Sequence, residues 1–239
     1  MKSLIYNKTL FEPGLVGITN GNITIKEVDA SVADPIIAAH HYSKKATPNR
    51  FASFVVNDGL GCMQLGFGIR PHLKHTISRF ITPKNYCEFD RMWLSDDLPK
   101  NSESQCIGML LTYIKRKYPN IIFVITYADG SVGNKGIIYK ATNAITIGSI
   151  PVDFYMLESG ERVHPVSMWH RHKTRAWSTM QSLYPNIRHI TKERQYRFLY
   201  VLHHGFRKKF VNELCGIGIE GDTDCNQQSG DGSTPSFRL

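Results

Sequence analysis

Cysteine is sparse in this chain, and its spacing argues against two kinds of architecture. The five cysteines, Cys62, Cys87, Cys106, Cys215 and Cys225, are odd in number, far apart and without a CxxC pair, so neither a disulfide framework nor a cysteine zinc site is indicated. That usage fits a reducing compartment. Long apolar runs are lacking too. None approaches the ~20 residues of a membrane span, and the opening MKSLIYNKTLFEP has no sustained apolar core of the kind a signal peptide needs. A soluble, cytoplasmic protein with no membrane attachment is expected. Acidic residues are in the minority, 20 against 29 lysines and arginines, which leaves a formal charge of +9. A balance of that sign favours a polyanionic partner, chiefly nucleic acid. Internal repeats are absent. What is present, 41% hydrophobic and 21% charged residues in a chain of 239, is enough for one substantial core.

The organisation is clearest over residues 87–147. Residues 88–94 alternate polar and apolar as a half-buried strand does, and 121–126 form the short continuous apolar run of a strand covered on both faces. Between them Ile107, Leu110, Leu111 and Ile114 recur at helical spacing. Ser102 or Ser104 is the candidate N-cap, and Lys115, Arg116 and Lys117 load the last turn, where cations suit the helix dipole. A strand, a crossover helix and a second strand make a parallel unit, whose ligands bind beyond the carboxyl ends of the strands. Asp129 falls there.

Around this unit, residues 1–21 read as a loosely structured lead-in punctuated by Pro13, Gly14, Gly17 and Gly21. Residues 23–28 alternate as a strand, and Asp29 or Ser31 caps a helix running toward His40, His41 and Tyr42. Residues 51–56 and 62–69 flank the Asp58-Gly59 turn as a hairpin. Further strands are expected at 152–157 and 196–202. From Gly216 onward the apolar content collapses, and a single domain over 22–212 with a disordered tail over 213–239 is expected. The segment VHPVSMWHRHKTRAW interleaves Trp169 and Trp177 with Arg171, Lys173 and Arg175, the mixture of stacking surfaces and cations that nucleic-acid grooves use. A solvated basic helix accounts for the same pattern; if the segment is helical, Arg171 and Arg175 share one face. Lys192 and Arg197 add charge further on.

The stretches HHYSK at 40–44, EFDRMWLSD at 88–96, PKNSESQCIG at 99–108, YADGSVGNKGIIYKATN at 127–143 and KERQYRFLYV at 192–201 together resemble the Mom family of phage DNA-modification proteins. The order of elements resembles the GNAT acyltransferase fold. That resemblance implies an α/β fold, one GNAT-like domain with a mixed, mainly antiparallel central sheet flanked by helices. It implies an enzyme of the bacterial cytoplasm that converts the 6-amino group of adenine in double-stranded DNA, flipped out of the helix, to a carbamoylmethyl derivative and so hides sites from restriction. Residue by residue, it puts functional roles on Arg91, Asp129 and Tyr139, with His41 and Tyr42 also in a family motif. An acyl-coenzyme A-like donor would fall to Asn101, Ser102, Ser104, Gly108 and Asn143. Here the sequence departs from the acyltransferase pattern, because a Q/R-x-x-G-x-G/A loop is replaced by 101–108, where Gly108 alone is a glycine and Glu103 would repel an anion. An iron ion using His41 stays open, although adjacent histidines cannot form the i, i+4 metal pair.

On their own chemistry these residues keep two readings each. The exocyclic amine of adenine is a poor nucleophile, since its lone pair is delocalised into the ring, and Asp129 is placed either to polarise its N–H or to cap the helix after Gly133. Tyr139 either protonates a departing thiolate or packs in the core. Arg91 is expensive to bury unpaired, so it meets a substrate anion or one of Asp90, Glu88 and Asp129. The competing functions are an acyl-coenzyme A-dependent N-acyltransferase for a small molecule or protein, and a DNA-binding module without catalysis.

Overall fold

The computed structural model describes residues 2–6, 15–47, 49–68, 77–207 and 210–211. In chain order the elements are β1 (Lys2–Tyr6), β2 (Leu15–Asn20), β3 (Ile23–Val28), α1 (Ala30–His40), β4 (Arg50–Val56), β5 (Gly61–Phe67), β6 (Tyr86–Leu94), α2 (Ser102–Lys117) and β7 (Phe123–Asp129). There follow α3 (Ile137–Ala141), β8 (Ile145–Pro151), β9 (Phe154–Met156), β10 (Arg162–Val163), α4 (Pro165–His172), α5 (Trp177–Leu183), β11 (Arg188–Ile190) and β12 (Arg194–Val201). Nine strands form one sheet in the order β1-β2-β3-β4-β5-β6-β7-β12-β8. Among the described residues only β6 and β7, the pair that α2 connects, run parallel; the other neighbours in this sheet are antiparallel. The mixed, mainly antiparallel sheet flanked by helices is therefore the fold class that the sequence implied. A second sheet, β10-β9-β11, is an excursion between β8 and β12 that the periodicity did not announce as a separate layer.

Helix α2 lies on one face of the large sheet because its apolar residues recur every three to four positions. Cys106, Ile107, Leu110, Tyr113 and Ile114 are buried there with Ile25, Phe54, Met63, Leu65 and Val124. The opposite face collects Ile77, Tyr86, Phe123, Ile125, Leu199 and Phe210. Burying a side chain of this size stabilises the fold by roughly 1.5–3 kcal/mol, so the two layers fix β6 and β7 from both sides.

Several expectations are corrected. Residues 1–21 are not a loosely structured lead-in where they are described, since β1 and β2 extend the sheet. Gly17 sits within β2 because a Cβ there would lie 2.5 Å from the Ile25 carbonyl oxygen; it marks close strand approach, not a loop. Helix α1 stops at His40, and Asp29 occupies its N-cap without a side-chain hydrogen bond. Neither Ser102 nor Ser104 caps α2. The cap is Asn101, in the left-handed region at φ 67°, while the Ser102 hydroxyl donates to the Pro99 carbonyl. The segment 163–177 is not one helix, because Lys173 at φ 57° follows the end of α4 and α5 begins at Trp177. Arg171 and Arg175 thus share no helical face. The expected tail lies outside the described residues.

Candidate active site

Strands β6 and β7 pair from Tyr86 opposite Phe123 to Phe89 opposite Thr126, and then part. The Thr126 hydroxyl donates to the Phe89 carbonyl at 2.9 Å, closing the last rung. Beyond it each strand follows its other neighbour. The β5 to β6 register shifts between Gln64 and Leu65 and passes over Asp90, which bends β6 away, while β7 stays paired with β12 as far as Asp129 opposite Gln195. The gap is a cleft of ≈ 160 Å³ lined by Tyr42, Glu88, Phe89, Asp90, Arg91, Tyr127, Asp129 and Gln195. It lies at the carboxyl ends of two parallel strands, where α/β sheets bind ligands. At this volume it suits one reacting group, being smaller than the ~300–1,000 Å³ of pockets that bury a drug-sized ligand.

Asp129 ends β7 with both carboxylate oxygens engaged. Oδ1 accepts from the Ser131 backbone N–H at 3.0 Å and from the Ser131 hydroxyl at 2.5 Å, and Oδ2 accepts from the Arg162 guanidinium at 2.6 Å. Burial works to raise its pKa, but the bonds from Ser131 and Arg162 outweigh it and hold the group below the usual aspartate value. The carboxylate is ionised at neutral pH. Capping is also real: Asp129 caps the short 3₁₀ turn Gly130–Val132, not a helix beyond Gly133.

Arg91 reaches the cleft from β6. Among the described residues it pairs with no carboxylate; Nε donates to the Lys45 carbonyl at 3.1 Å and Nη1 to the Asp90 carbonyl at 2.8 Å. Its charge is thus uncompensated by either contact. The loop it holds brings His41 and Tyr42. His41 is 6% exposed, and its Nδ1 accepts from the Ser43 N–H at 3.1 Å and lies 2.8 Å from the Ser43 hydroxyl. Burial first, then Arg91 and Lys44, lower its pKa to about 4, so the ring is neutral. The Tyr42 ring lies against it, tilted by 35° with ring centroids 4.3 Å apart, and is 60% exposed at the cleft mouth. Tyr139 does not line the cleft. It is buried behind the last rung, near the Thr126 hydroxyl and with the rings of Phe198 and Phe89 at 5.3 and 6.4 Å. Burial raises its pKa.

The model of the Mom protein family matches residues 22–214, most of the length described above. The chain belongs to the Mom family. The methylcarbamoylase Mom of Escherichia phage Mu is 32% identical over 161 residues, and the match spans 66% of this chain and 66% of that relative, just under two-thirds of its length. Among solved structures, ribosomal-protein-S5-alanine acetyltransferase from Vibrio fischeri is 11% identical, with 79% of this chain and 98% of that chain covered and a TM-score of 0.46. A probable GNAT-family acetyltransferase from Chromobacterium violaceum is 10% identical, with 82% and 89% covered and a TM-score of 0.43. Likenesses of that degree carry nothing about donor or substrate.

In this Mom-family chain the residues expected to hold a donor lie at the start of α2, inside it and after α3. Ser102 is 2% exposed with its hydroxyl spent on Pro99. Glu103 is exposed in the first turn of α2, where its charge opposes an incoming anion. Gln105 is tied to the Asn20 carbonyl at 2.6 Å, which leaves Ser104 as the half-buried hydroxyl of that turn. Gly108 lies inside α2 with open space where a Cβ would be. Asn143 is exposed after α3, its carbonyl accepting from Arg207 at 3.2 Å. For the iron, no three His, Cys, Asp or Glu side chains converge as ligands among the described residues.

The expected DNA contacts are scattered. Trp169, Arg171, Lys173, Arg175 and Lys192 are exposed. Arg171 is paired with Glu161 at 2.8 Å. Arg197 is half-buried in β12, and its guanidinium donates to the Ile147 carbonyl at 3.1 Å. Two residues of the site were missed by sequence reasoning. Arg162 lies in an unpatterned turn segment and reaches Asp129 only through the second sheet; Gln64 reads as one polar position in a strand, although it is buried beside Arg91.

Proposed function

We propose that this chain modifies the 6-amino group of adenine in double-stranded DNA by a carbamoylmethylation-type transfer that protects the DNA from restriction. The observation that carries the reading is the cleft where β6 and β7 part, which presents an ionised Asp129 and a cationic Arg91 in a Mom-family chain. Support also comes from the relative named a methylcarbamoylase and from the formal charge of +9. A base must leave the stack to reach such a cleft. Tyr42 at the mouth offers a ring for it to stack on.

The chemistry follows from the groups present. Asp129 is a weak base, yet it suffices: once the amine nitrogen forms its bond to the electrophilic carbon it carries positive charge and becomes acidic. The new N–C bond forms, the bond from that carbon to the departing group breaks, and the amine proton passes to the Asp129 carboxylate. Arg91 stabilises negative charge that develops on the transferred or departing group. For Tyr139 to supply the proton that the departing atom takes, the Thr126 hydroxyl turns from the Phe89 carbonyl, passes its own proton outward and takes one from the Tyr139 hydroxyl. No step is assigned to coenzyme A or iron.

Nucleosides released from the DNA of producing cells and analysed by mass spectrometry test this reading. A mass-shifted deoxyadenosine is expected with the native chain and not with Asp129→Ala. Only the four ordinary nucleosides in both would overturn it.

A further inference from the structure

The small sheet has two unlike faces. Tyr155 stands opposite Val163 on one side and His189 on the other, and this row belongs to the face under α4 and α5, where Tyr155, Val163, Met168, Met180 and Ile187 make a core of their own. The adjacent row is Arg162, Met156 and Arg188 in register across the three strands, and alternation puts it on the opposite face. Arg162 leaves that face for Asp129, its guanidinium 4.0 Å from the centroid of the Phe154 ring, so this face is turned to the cleft. Arg188 is exposed on β11 and makes no hydrogen bond or ion pair among the described residues. Two strand spacings, about 9.5 Å, separate the backbones of the two arginines.

Resting on the reading of the chain as a DNA-modifying enzyme, we propose that this row guides the DNA strand: Arg188 binds a backbone phosphate beside the target base, and Arg162 is the positioning residue that holds Asp129 for that base. A free guanidinium offers the bidentate fork that phosphate prefers. Of the two arginines on this face Arg162 is engaged by Asp129, which leaves Arg188 as the one open to an anion among the described residues. One small element would then set both the place of the strand and the aim of the carboxylate, so that a phosphate seated on Arg188 lies a fixed distance from the reacting group.

Duplex binding measured by fluorescence anisotropy across a salt series, together with nucleoside analysis in cells, tests both halves. Arg188→Ala is expected to weaken binding of all duplexes alike and to reduce the salt slope by about 1, the signature of one lost phosphate contact. Arg188→Glu is expected to weaken it further, and thermal melts of both variants should match the native chain. Raising the level of Arg188→Ala in cells should recover modification. Arg162→Ala should retain the native salt slope and lose modification on the order of 10²-fold whatever its level, with partial rescue by Arg162→Lys. Native affinity and slope in both Arg188 variants would overturn the guide while leaving the function reading intact; no duplex binding by the native chain would overturn both. A normal modification level in Arg162→Ala would remove the positioning role.

Discussion

Gln64 stands opposite Arg91 across β5 and β6, and both side chains hold the loop that follows α1. Gln64 Oε1 accepts from the Thr47 N–H at 3.0 Å, and Arg91 Nε donates to the Lys45 carbonyl at 3.1 Å. Gln64 Nε2 donates in turn to Asp34 at 2.8 Å on α1. The glutamine is 0% exposed and its bond to Thr47 is buried, so water cannot take that bond over without opening the sheet, whereas the bond from Arg91 to Lys45 is exposed. Gln64→Leu keeps the volume and leaves the buried Thr47 N–H unpaired, at a cost of about 1–3 kcal/mol, while Asp34 loses one donor and keeps its ion pair with Arg50. A lower urea midpoint and a reduced modification level are expected, because the loop carries His41 and Tyr42. An unchanged midpoint would mean that the loop is held by Arg91 alone.

Asp129→Asn separates charge from shape. The amide is nearly the size of the carboxylate and can still accept from Ser131, but it cannot take a proton and no longer neutralises Arg162. Modification is expected to fall by roughly 10²–10⁴-fold, the usual share of a positioned acid or base. Duplex affinity should hold or rise, since a negative charge leaves the cleft. A modified nucleoside at native yield would show that the carboxylate is only a turn cap.

The parallel unit was legible because its signals are local: a 2-residue period in β6, a helical period in α2 and a continuous apolar run in β7. The position of Asp129 at a strand's carboxyl end follows from these alone. Gly17 misled for a physical reason, as a close-packed strand glycine and a loop glycine are the same letter. Arg162 was illegible because its meaning depends on a three-stranded excursion folding back over β7, a contact between residues 33 positions apart. The shared face of Arg171 and Arg175 depended on one continuous helix, and helical spacing is a property of sequence that the left-handed Lys173 overrides by ending the helix. Arg171 also meets Glu161 in an exposed ion pair, a contact that composition cannot express.

Tyr139→Phe tests a proton donor without disturbing packing. The ring keeps its neighbours Phe89 and Phe198, and Thr126 keeps its bond to Phe89. The melting temperature should change little, while modification falls. Turnover equal to that of the native chain would assign the tyrosine to the core.

Gly136 sets the helix that carries Tyr139. Its φ is +70°, and a Cβ there would lie 2.2 Å from the Phe198 ring and 3.2 Å from the Ala128 side chain. Gly136→Ala therefore combines a left-handed penalty of roughly 1–2 kcal/mol with overpacking of roughly 1–3 kcal/mol. A clear drop in thermal midpoint is expected, with Tyr139 displaced and modification lost. A melt superimposable on that of the native chain would show that Phe198 yields at no cost.

His41 should make stability depend on mildly acidic pH. Its pKa is lowered from 6.5 to about 4 in the folded state, by burial first and by Arg91 and Lys44 next. Between those values the unfolded chain binds a proton that the folded chain refuses. Stability is therefore complete above the unfolded pKa and is lost as pH falls from about 6.5 toward about 4, by at most ~1.4 kcal/mol per pH unit. Geometry points the same way, because Nδ1 already accepts from the Ser43 N–H and a proton there would set two donors against each other. His41→Asn keeps an acceptor near that position and cannot titrate. Urea midpoints for the two proteins should run parallel above pH 7 and diverge below pH 6, with the variant the flatter. Equal slopes through that interval would mean that His41 gains its proton in the folded state as easily as in the unfolded one.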